Sequence, residues 1–272
     1  SPERENPGDS QFNFKNTPKV VSGIGNNSLK ICDNFYKLIT KKTVRSPSIK
    51  IAEMSKLLEN IYRSINIALI NELKIATTKL DINIYDVIKI ASTKPFGFQK
   101  FFPGPGTGGH CIPIDPIYFS WLSKKKGVNV KFIELSSKIN QIRTKWIIKK
   151  LKAIAKKISN PKILLLGLSY KKNIEDTRES ASVKILEDLL KQNYKIDYSD
   201  PFNKKITLNY RKKRKFLFSK KFDKKIIKKY NLIIIATDHD KFDYSMLKSS
   251  NKIIVDLRGK FKNIKSKYIY QL

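Results

Sequence analysis

The stretch KILLLGLSYKKNIEDTRES, residues 162–180, carries the strongest indication of the fold. Its first residues, Lys162–Leu166, form a short aliphatic run that ends in a glycine, and this length and flank predict a buried strand. A polar loop follows, and then a helix is predicted over 180–192. Similar aliphatic runs predict three further strands, at 195–198, 232–236 and 253–255. Strands that alternate with helices indicate a parallel sheet, so residues 159–272 are predicted to form a Rossmann-like α/β domain.

Upstream of Asn160-Pro161 the pattern is mainly helical. No Pro or Gly occurs between Ser48 and Leu80, and apolar residues recur there at three- and four-residue steps, which predicts one unusually long amphipathic helix. Other helices are predicted over 28–38, 84–92, 116–126 and 132–158. Residues 49–158 are therefore expected to form a helical domain. Residues 1–48 are rich in turn-forming residues and are expected to be irregular.

Composition limits the classes of partner. The net charge of +33 comes from 56 Lys and Arg against 23 Asp and Glu, which invites a nucleic-acid interpretation. The excess is mostly lysine spread through every segment, together with abundant Ile and Asn, as an AT-rich coding sequence produces. Residues 201–230 are the most basic, with 13 Lys or Arg and one acid, and are interpreted as a solvated face with an insertion loop.

Hydrophobicity and cysteine count exclude other classes. A hydrophobic fraction of 40% excludes wholesale disorder. No apolar run approaches the roughly 20 residues of a membrane span. Neither a membrane nor a specific nucleic acid is expected as a partner. The two cysteines cannot build a disulfide scaffold, which fits a reducing, cytoplasmic setting.

A glycine-rich loop, FFPGPGTGGHC at 101–111, formally contains the GxGxxG fingerprint of dinucleotide-binding sites. That fingerprint works between a strand and a helix, where amides face a pyrophosphate. No strand is predicted before this loop, and Pro105 removes one amide. The match is therefore interpreted as accidental.

The sequence pattern alone leaves open the roles of Cys111, Asp115 and Lys56. Cys111 lies beside glycines whose exposed amides can stabilise a thiolate or an oxyanion, so it fits a nucleophile and a buried structural cysteine equally well. Cys32 is interpreted as structural. Asp115, four residues further on, is either a helix cap or a catalytic carboxylate. In the long helix, Lys56 and Asn60 share a face, and Lys56 is either functional or a surface lysine whose stem covers apolar neighbours.

Basic residues follow two of the predicted strands. Lys171, Lys172 and Arg178 lie in the loop after the first strand, and Arg258 follows the strand at 253–255. Ligands of open parallel sheets bind beyond the carboxyl ends of the strands, so these cations would suit phosphates. The alternative for each arginine is a surface ion pair.

Five segments in this order resemble the UDP-glucose/GDP-mannose dehydrogenase family, with the UDP-N-acetylglucosamine 6-dehydrogenase branch most similar. They are SPERENPG (1–8), AEMSKLLENIYRSINIALINE (52–72), PGPGTGGHCIPIDP (103–116), KILLLGLSYKKNIEDTRES (162–180) and IIVDLR (253–258). Family members have an N-terminal NAD-binding Rossmann domain, a central helical dimerisation domain and a C-terminal UDP-binding α/β domain. This chain resembles the second and third. Residues 1–48 then correspond to the end of the first domain and a linker.

The resemblance implies an NAD-dependent oxidation of the C6 hydroxyl of a UDP-N-acetylhexosamine in two steps, through a cysteine thiohemiacetal and thioester, to a uronic acid used for surface polysaccharides. It implies Cys111 as the nucleophile, with Lys56 and Asn60 stabilising the oxyanion. Asp115 would complete this network, and Glu3 would help to activate water for thioester hydrolysis.

The resemblance also implies how substrate and cofactor are held. Tyr170, Lys171, Arg258 and the loop containing Gly106 would contact the nucleotide sugar, and Arg178 would reach NAD. No metal is expected, and a homodimer or larger homo-oligomer is implied. A catalytically inactive module that only binds UDP-sugar and dimerises is the alternative, because the NAD-binding domain is not part of the resemblance.

Overall fold

The computed structural model describes residues 1–8, 11–210 and 213–272. Its N-terminal part contains strand β1 (Lys19–Val21), helix α1 (Gly25–Lys37) and strand β2 (Thr43–Arg45), and the two strands pair in parallel. The expectation that residues 1–48 are irregular is therefore wrong for this stretch, although the helix predicted over 28–38 is present. Strands of three residues are too short to show an alternating pattern, and the glycines beside them were interpreted as turn signals.

The long helix is confirmed as α2 (Ile49–Lys79), and the Ser48 hydroxyl caps it by accepting the N–H of Ile51 at 3.2 Å. Three more helices follow: α3 (Ile84–Ala91), α4 (Cys111–Lys125) and α5 (Lys131–Ala155). α2 packs against both α4 and α5. Among the described residues, no helix combines the length and apolarity needed to cross a membrane.

The start of α4 differs from the prediction. The helix begins at Cys111, not near Pro116, so Asp115 lies inside it and the interpretation of Asp115 as a helix cap is wrong. Pro113 lies in the first turn of α4. The N–H groups of a first turn have no acceptor within the helix, so a proline there costs no helical hydrogen bond. The sequence-based boundary followed Pro116 alone, which lies in the second turn.

The second half is an α/β layer, as predicted. Its elements are β3 (Lys162–Leu166), α6 (Ala181–Lys191), β4 (Lys195–Ser199), β5 (Lys205–Tyr210), β6 (Lys213–Phe218), α7 (Lys224–Ile227), β7 (Leu232–Ile235), α8 (Ser245–Lys248), β8 (Ile253–Asp256) and β9 (Ile269–Gln271). Five strands form one parallel sheet in the order β4-β3-β7-β8-β9. The fold class, a helical part followed by a Rossmann-like parallel sheet, is confirmed.

Strand β3, which lies between β4 and β7 in the sheet, is buried on both faces. Ile163 and Leu165 pack in a core with side chains of α5 and α6, whereas Leu164 and Leu166 pack in the opposite core with side chains of α7 and α8. All four leave no exposed surface. Covering both faces explains why the strand is continuously apolar instead of alternating.

The basic segment 201–230 presents a solvated face as expected, since nearly all of its described lysines and arginines are exposed, but the expectation of an insertion loop is wrong. It folds into an antiparallel hairpin of β5 and β6, with Leu208 buried against the sheet core and Phe216 and Phe218 exposed on the other face. Arg211 and Lys212 lie outside the described residues. Strand β5 alternates apolar residues at 206, 208 and 210, whereas β6 consists of three basic residues followed by three apolar ones, so the sequence shows a strand period on one side of the hairpin only.

Asp200, directly after β4, fixes the chain where strands β3 and β7 end. Its carboxylate accepts the N–H of Leu168 at 2.7 Å and that of Asn203 at 2.8 Å, and its Oδ2 lies 3.2 Å from Nε2 of His239. His239 Nδ1 accepts the N–H of Asn173 at 2.9 Å, so the Nε2–H tautomer donates to Asp200. Burial alone would raise the pKa of Asp200, but these hydrogen bonds outweigh it and hold the pKa at about 2.

We expect Asp200→Asn to lower the free energy of unfolding by about 2 kcal/mol, because a buried charge-assisted hydrogen-bond network loses its acceptor. An unfolded aspartate titrates near a pKa of about 3.9. Since the folded pKa is lower, Asp200 stabilises the fold above a pH of about 4 and loses that contribution as the pH falls to about 2. Urea unfolding between pH 2 and 7 measures both effects. Glu53→Gln, an exposed position in α2, is the control, and equal losses in both variants would contradict the assignment.

Candidate active site

One face of α2 lines a small cleft against the N-terminal segment. Lys56, Asn60 and Arg63 succeed one another at helical spacing, and all three border this cleft, whose volume is about 290 Å³. Arg4 and Asn6 close it from the other side. Glu5 and Glu59 also line it, so three cations and two amides stand against two carboxylates, a composition that suits a hydroxylated ligand with some negative charge.

Asn60 and Asp115 are brought together from 55 residues apart. The Asn60 side chain is buried, and its Nδ2 donates to Asp115 Oδ2 at 2.6 Å. The contact joins α2 to α4 and fixes the orientation of the Asn60 amide, whose oxygen points away from the carboxylate by its own covalent geometry. Lys56, half-buried, lies one turn before Asn60 on the same helix.

Cys111 is the first residue of α4 and is exposed. The backbone N–H groups of a first helical turn have no helical acceptor, so they favour negative charge nearby. Asp115 follows Cys111 by four residues and thus shares its helix face. Cys111 also lies within electrostatic range of Tyr170 and Arg178, two residues of the sheet layer. The interpretation of Cys111 as a buried structural cysteine is therefore wrong.

The glycine-rich loop packs on the ring of Tyr170. A Cβ at Gly108 would lie 2.4 Å from Tyr170 Cβ, and one at Gly109 would lie 2.9 Å from its ring. Gly109 has φ +82° and donates its N–H to the Arg178 carbonyl at 2.9 Å. Burial raises the pKa of Tyr170. These glycines thus serve a close contact between the two layers. Among the described residues, the element that directly precedes the loop is helix α3 and not a strand, so the loop lacks the strand-to-helix context of a dinucleotide site.

Gly106 lies on a different side of the loop. A Cβ there would meet Thr144 Oγ1 at 2.6 Å and Ala181 Cβ at 3.2 Å, so the glycine allows α5 and α6 to approach the loop. Its expected role in substrate binding stays a prediction.

Lys171 holds the N-terminal segment. Its Nζ donates to Asn6 Oδ1 and to the Pro7 carbonyl, both at 2.7 Å. Gly8 has φ +80°, and a Cβ there would lie 2.9 Å from Ile174. The loop after β3 therefore clamps the segment that borders the cleft of α2. This places Lys171 at the site, with backbone and amide oxygens as its partners.

Two of the remaining predicted residues, Arg178 and Arg258, form ion pairs with aspartates. Arg178 is exposed and binds Asp176 through two nitrogens at 2.6–3.0 Å, which raises the pKa of Arg178 and lowers that of Asp176. Arg258 Nε donates to Asp238 at 3.0 Å, and its Nη1 approaches Gly104.

Glu3 lies apart from the other candidates. It is exposed and pairs with Lys19 of β1 at 3.2 Å, and it is not among the residues that line the cleft.

Arg63 and the pair of Arg4 with Glu59 were missed from the sequence. Arg63 follows Asn60 by three residues, so helical spacing alone would have placed it on the face of Lys56 and Asn60. Arg4 Nη2 binds Glu59 Oε1 at 2.7 Å and anchors the N-terminal segment to α2. That contact spans 55 residues, and no local pattern indicates it.

Known proteins resemble this chain in sequence. A UDP-N-acetyl-D-mannosamine dehydrogenase from Methanococcus vannielii is 38% identical over 204 residues, covering 74% of this chain and 46% of that protein. A UDP-N-acetyl-D-glucosamine 6-dehydrogenase from Pseudomonas aeruginosa is 36% identical over 207 residues, covering 74% of this chain and 49% of that protein. The chain thus spans about half the length of these curated relatives.

Solved structures agree with the fold. The UDP-D-ManNAc dehydrogenase from Pyrococcus horikoshii has a TM-score of 0.79 and 28% identity, over 99% of this chain and 63% of that one. The UDP-N-acetyl-mannosamine dehydrogenase Cap5O from Staphylococcus aureus has a TM-score of 0.77 and 29% identity, over 99% and 62%. The model of the central domain of the UDP-glucose/GDP-mannose dehydrogenase family matches residues 50–142, and the model of its UDP-binding domain matches residues 164–263. Together these ranges take in more than half of the chain, which therefore belongs to the UDP-glucose/GDP-mannose dehydrogenase family.

Proposed function

We propose that this chain is the catalytic and substrate-binding part of an NAD-dependent UDP-N-acetylhexosamine 6-dehydrogenase that makes a uronic acid for surface polysaccharides. The observation that carries the proposal is the contact of Asn60 with Asp115, one helical turn after the exposed Cys111. The relatives act on UDP-N-acetylmannosamine and UDP-N-acetylglucosamine by name, which supports a UDP-N-acetylhexosamine. UDP-N-acetylglucosamine is our expected substrate.

Cys111 supplies the covalent step. Its thiol adds to the C6 aldehyde, so that a bond forms between sulfur and C6 and the thiol proton passes to the former carbonyl oxygen. Loss of a hydride and a proton from this thiohemiacetal gives the thioester, and water then releases the uronate and the free thiol. Two NAD⁺ molecules, bound one after the other, would supply the acceptors for the two hydrides that leave C6, one hydride for each molecule.

Lys56 and Asn60 are placed to stabilise the oxygen that is bonded to C6. An ammonium and a fixed amide on one helix face stabilise the charge that develops on this oxygen in each addition. Asp115 keeps the Asn60 amide in place through the 2.6 Å hydrogen bond. Glu3 would act on the hydrolytic water, and for this its ion pair with Lys19 must open.

Binding of the nucleotide sugar uses cations from both layers. Arg63 in the cleft and Arg258 beside Gly104 would face the diphosphate, with Tyr170 and Lys171 at the nucleotide end. Lys171 would exchange its contacts with Asn6 and Pro7 for ligand oxygens.

Arg178 is the residue of this chain that would hold NAD, because its exposed guanidinium can bind a phosphate. Within the described residues, a glycine-rich turn between a strand and a helix that would cradle a dinucleotide is not found next to it. The residues present therefore supply one contact to this cofactor.

Exposed apolar side chains on the helical layer support a homodimer or larger homo-oligomer. Ile117, Tyr118 and Trp121 on α4 and Ile142 on α5 each expose at least half of their surface. Patches of this kind mark interfaces between proteins. The free thiols of Cys111 and Cys32 support a reducing, cytoplasmic setting.

The second candidate is a module that binds UDP-sugar and dimerises without catalysis. The observation that favours it is that the glycine-rich loop follows helix α3 and packs on the Tyr170 ring, so it is not arranged to cradle a dinucleotide. To separate the two candidates, we would assay NADH formation from UDP-N-acetylglucosamine with the chain alone and with the chain fused to the N-terminal domain of a relative. We expect turnover by the fusion. UDP-sugar binding without turnover in both proteins would favour the module.

Cys111→Ser should stop the reaction at or before the aldehyde, because a serine hydroxyl is a much weaker nucleophile than a thiolate. We expect uronate formation to fall by about a thousandfold or more. Mass spectrometry of the products measures it. Cys32→Ser, in α1 and away from the site, is the matched control and should retain activity; normal uronate formation by Cys111→Ser would refute the role of the thiol.

Asp115→Asn should lower kcat by about ten- to a hundredfold with little change in KM, because the charge that orients Asn60 is lost while the binding cations stay. Steady-state kinetics with UDP-N-acetylglucosamine measures the split. Asp86→Asn, an exposed position in α3, should behave as the unaltered protein. An equal effect of both substitutions would show that Asp115 has no special part.

A further inference from the structure

A buried cluster of polar side chains between the helical layer and the sheet has no part in the proposed reaction. It consists of Lys74 on α2, Tyr85 on α3, Arg143 on α5 and Asp256 on β8, and none of them exposes more than 4% of its surface. We propose that this cluster binds a small monovalent anion of chloride size, held by the guanidinium of Arg143 and the hydroxyl of Tyr85.

Unsatisfied donors are concentrated here. Arg143 Nε donates to the Gly104 carbonyl at 3.0 Å, and the guanidinium lies 5.0 Å from the Trp146 ring. Five buried side-chain atoms of the described residues have no hydrogen-bond partner, and three of them are Nη1 and Nη2 of Arg143 and the hydroxyl of Tyr85. Each buried donor without an acceptor costs about 1–3 kcal/mol. Arg143 and Tyr85 lie within electrostatic range of each other, so one acceptor between them would satisfy donors of both side chains.

The cluster also has an excess of positive charge. Lys74 Nζ donates to the Gln271 carbonyl at 3.1 Å and lies 5.8 Å from the Tyr85 ring centroid. Burial and the charge of Arg143 lower the pKa of Lys74 to about 8, so Lys74 is still mostly protonated at pH 7. Two buried cations therefore face each other in this cluster.

The negative groups nearby do not balance these cations. The Asp256 carboxylate already accepts the N–H groups of Arg258 and Phe261, and even when it is ionised it balances only one of the two cations. Burial raises the pKa of Tyr85, so its hydroxyl stays protonated. At the rim, Arg258 and Asp238 pair with each other at 3.0 Å and add no net charge. A positive charge is left over.

An anion would accept hydrogen bonds from the unpartnered donors and would also neutralise the excess positive charge, whereas water would do only the first. A water molecule would accept hydrogen bonds but would leave the buried charge unpaired, and unpaired buried charges cost several kcal/mol. Because Arg143 is fully enclosed, the occupant must be small. A halide fits this requirement, whereas a diphosphate or a carboxylate-bearing metabolite does not.

Crystals of the unaltered 272-residue chain grown in bromide provide the direct test. We expect an anomalous peak within hydrogen-bond distance of Arg143 Nη and the Tyr85 hydroxyl. No peak there, or an ordered water in that place, would overturn the proposal.

Thermal unfolding in chloride and in gluconate, at equal ionic strength, gives a test in solution. We expect chloride to raise Tm by about 2–4 °C, because a ligand that binds only the folded state stabilises it. The chloride effect should vanish in Arg143→Met and persist in Lys145→Met, an exposed position on the same helix. If Arg143→Met does not fold, Tyr85→Phe removes one donor and should weaken the effect. An equal chloride effect in all proteins would contradict an anion at this cluster.

Discussion

The contact between the glycine-rich loop and the Tyr170 ring is the constraint on which the site depends. Gly108 and Gly109 have no side chain to hold the two layers apart, so the ring lies directly against the backbone before Cys111. The hydrogen bond from Gly109 to the Arg178 carbonyl fixes the same loop from the sheet side. The position of the thiol is therefore set by both layers and not by its own helix alone.

The sheet side of that contact is rigid for a separate reason. Asp200 and His239 tie the loop after β3 to the ends of β4 and β7, so Tyr170 and Lys171 extend from a braced loop. Lys171 donates to Asn6 and to the Pro7 carbonyl, and so holds the N-terminal segment against this loop. Arg4 then fastens the segment to α2 through Glu59. The N-terminal segment and α2, distant in sequence, thus line one cleft, and the loop after β3 holds the N-terminal segment in place.

Much of this could be predicted from local patterns. The apolar period of α2 and the aliphatic run of β3 were sufficient for the helix, the strand and the parallel sheet, because each pattern records which faces are buried. Lys56 and Asn60 were found by helical spacing. The hairpin of β5 and β6 was missed because β6 has three basic residues followed by three apolar ones, so the alternation of β5 has no matching pattern in its partner strand. The pairs of Arg4 with Glu59 and of Glu3 with Lys19 are tertiary contacts with no local signal, so no reading of spacing places them.

The hairpin has a consequence for association between copies of the chain. It lies beside β4, an edge strand of the parallel sheet, where Lys220 donates its N–H to the Tyr198 carbonyl and accepts from the Ser199 hydroxyl. An open edge is a template on which another strand can add. Here part of the edge is already occupied, and a second copy approaching it would bring lysines against lysines. At this edge, the charge that first suggested nucleic acid would therefore oppose the addition of a strand from another copy.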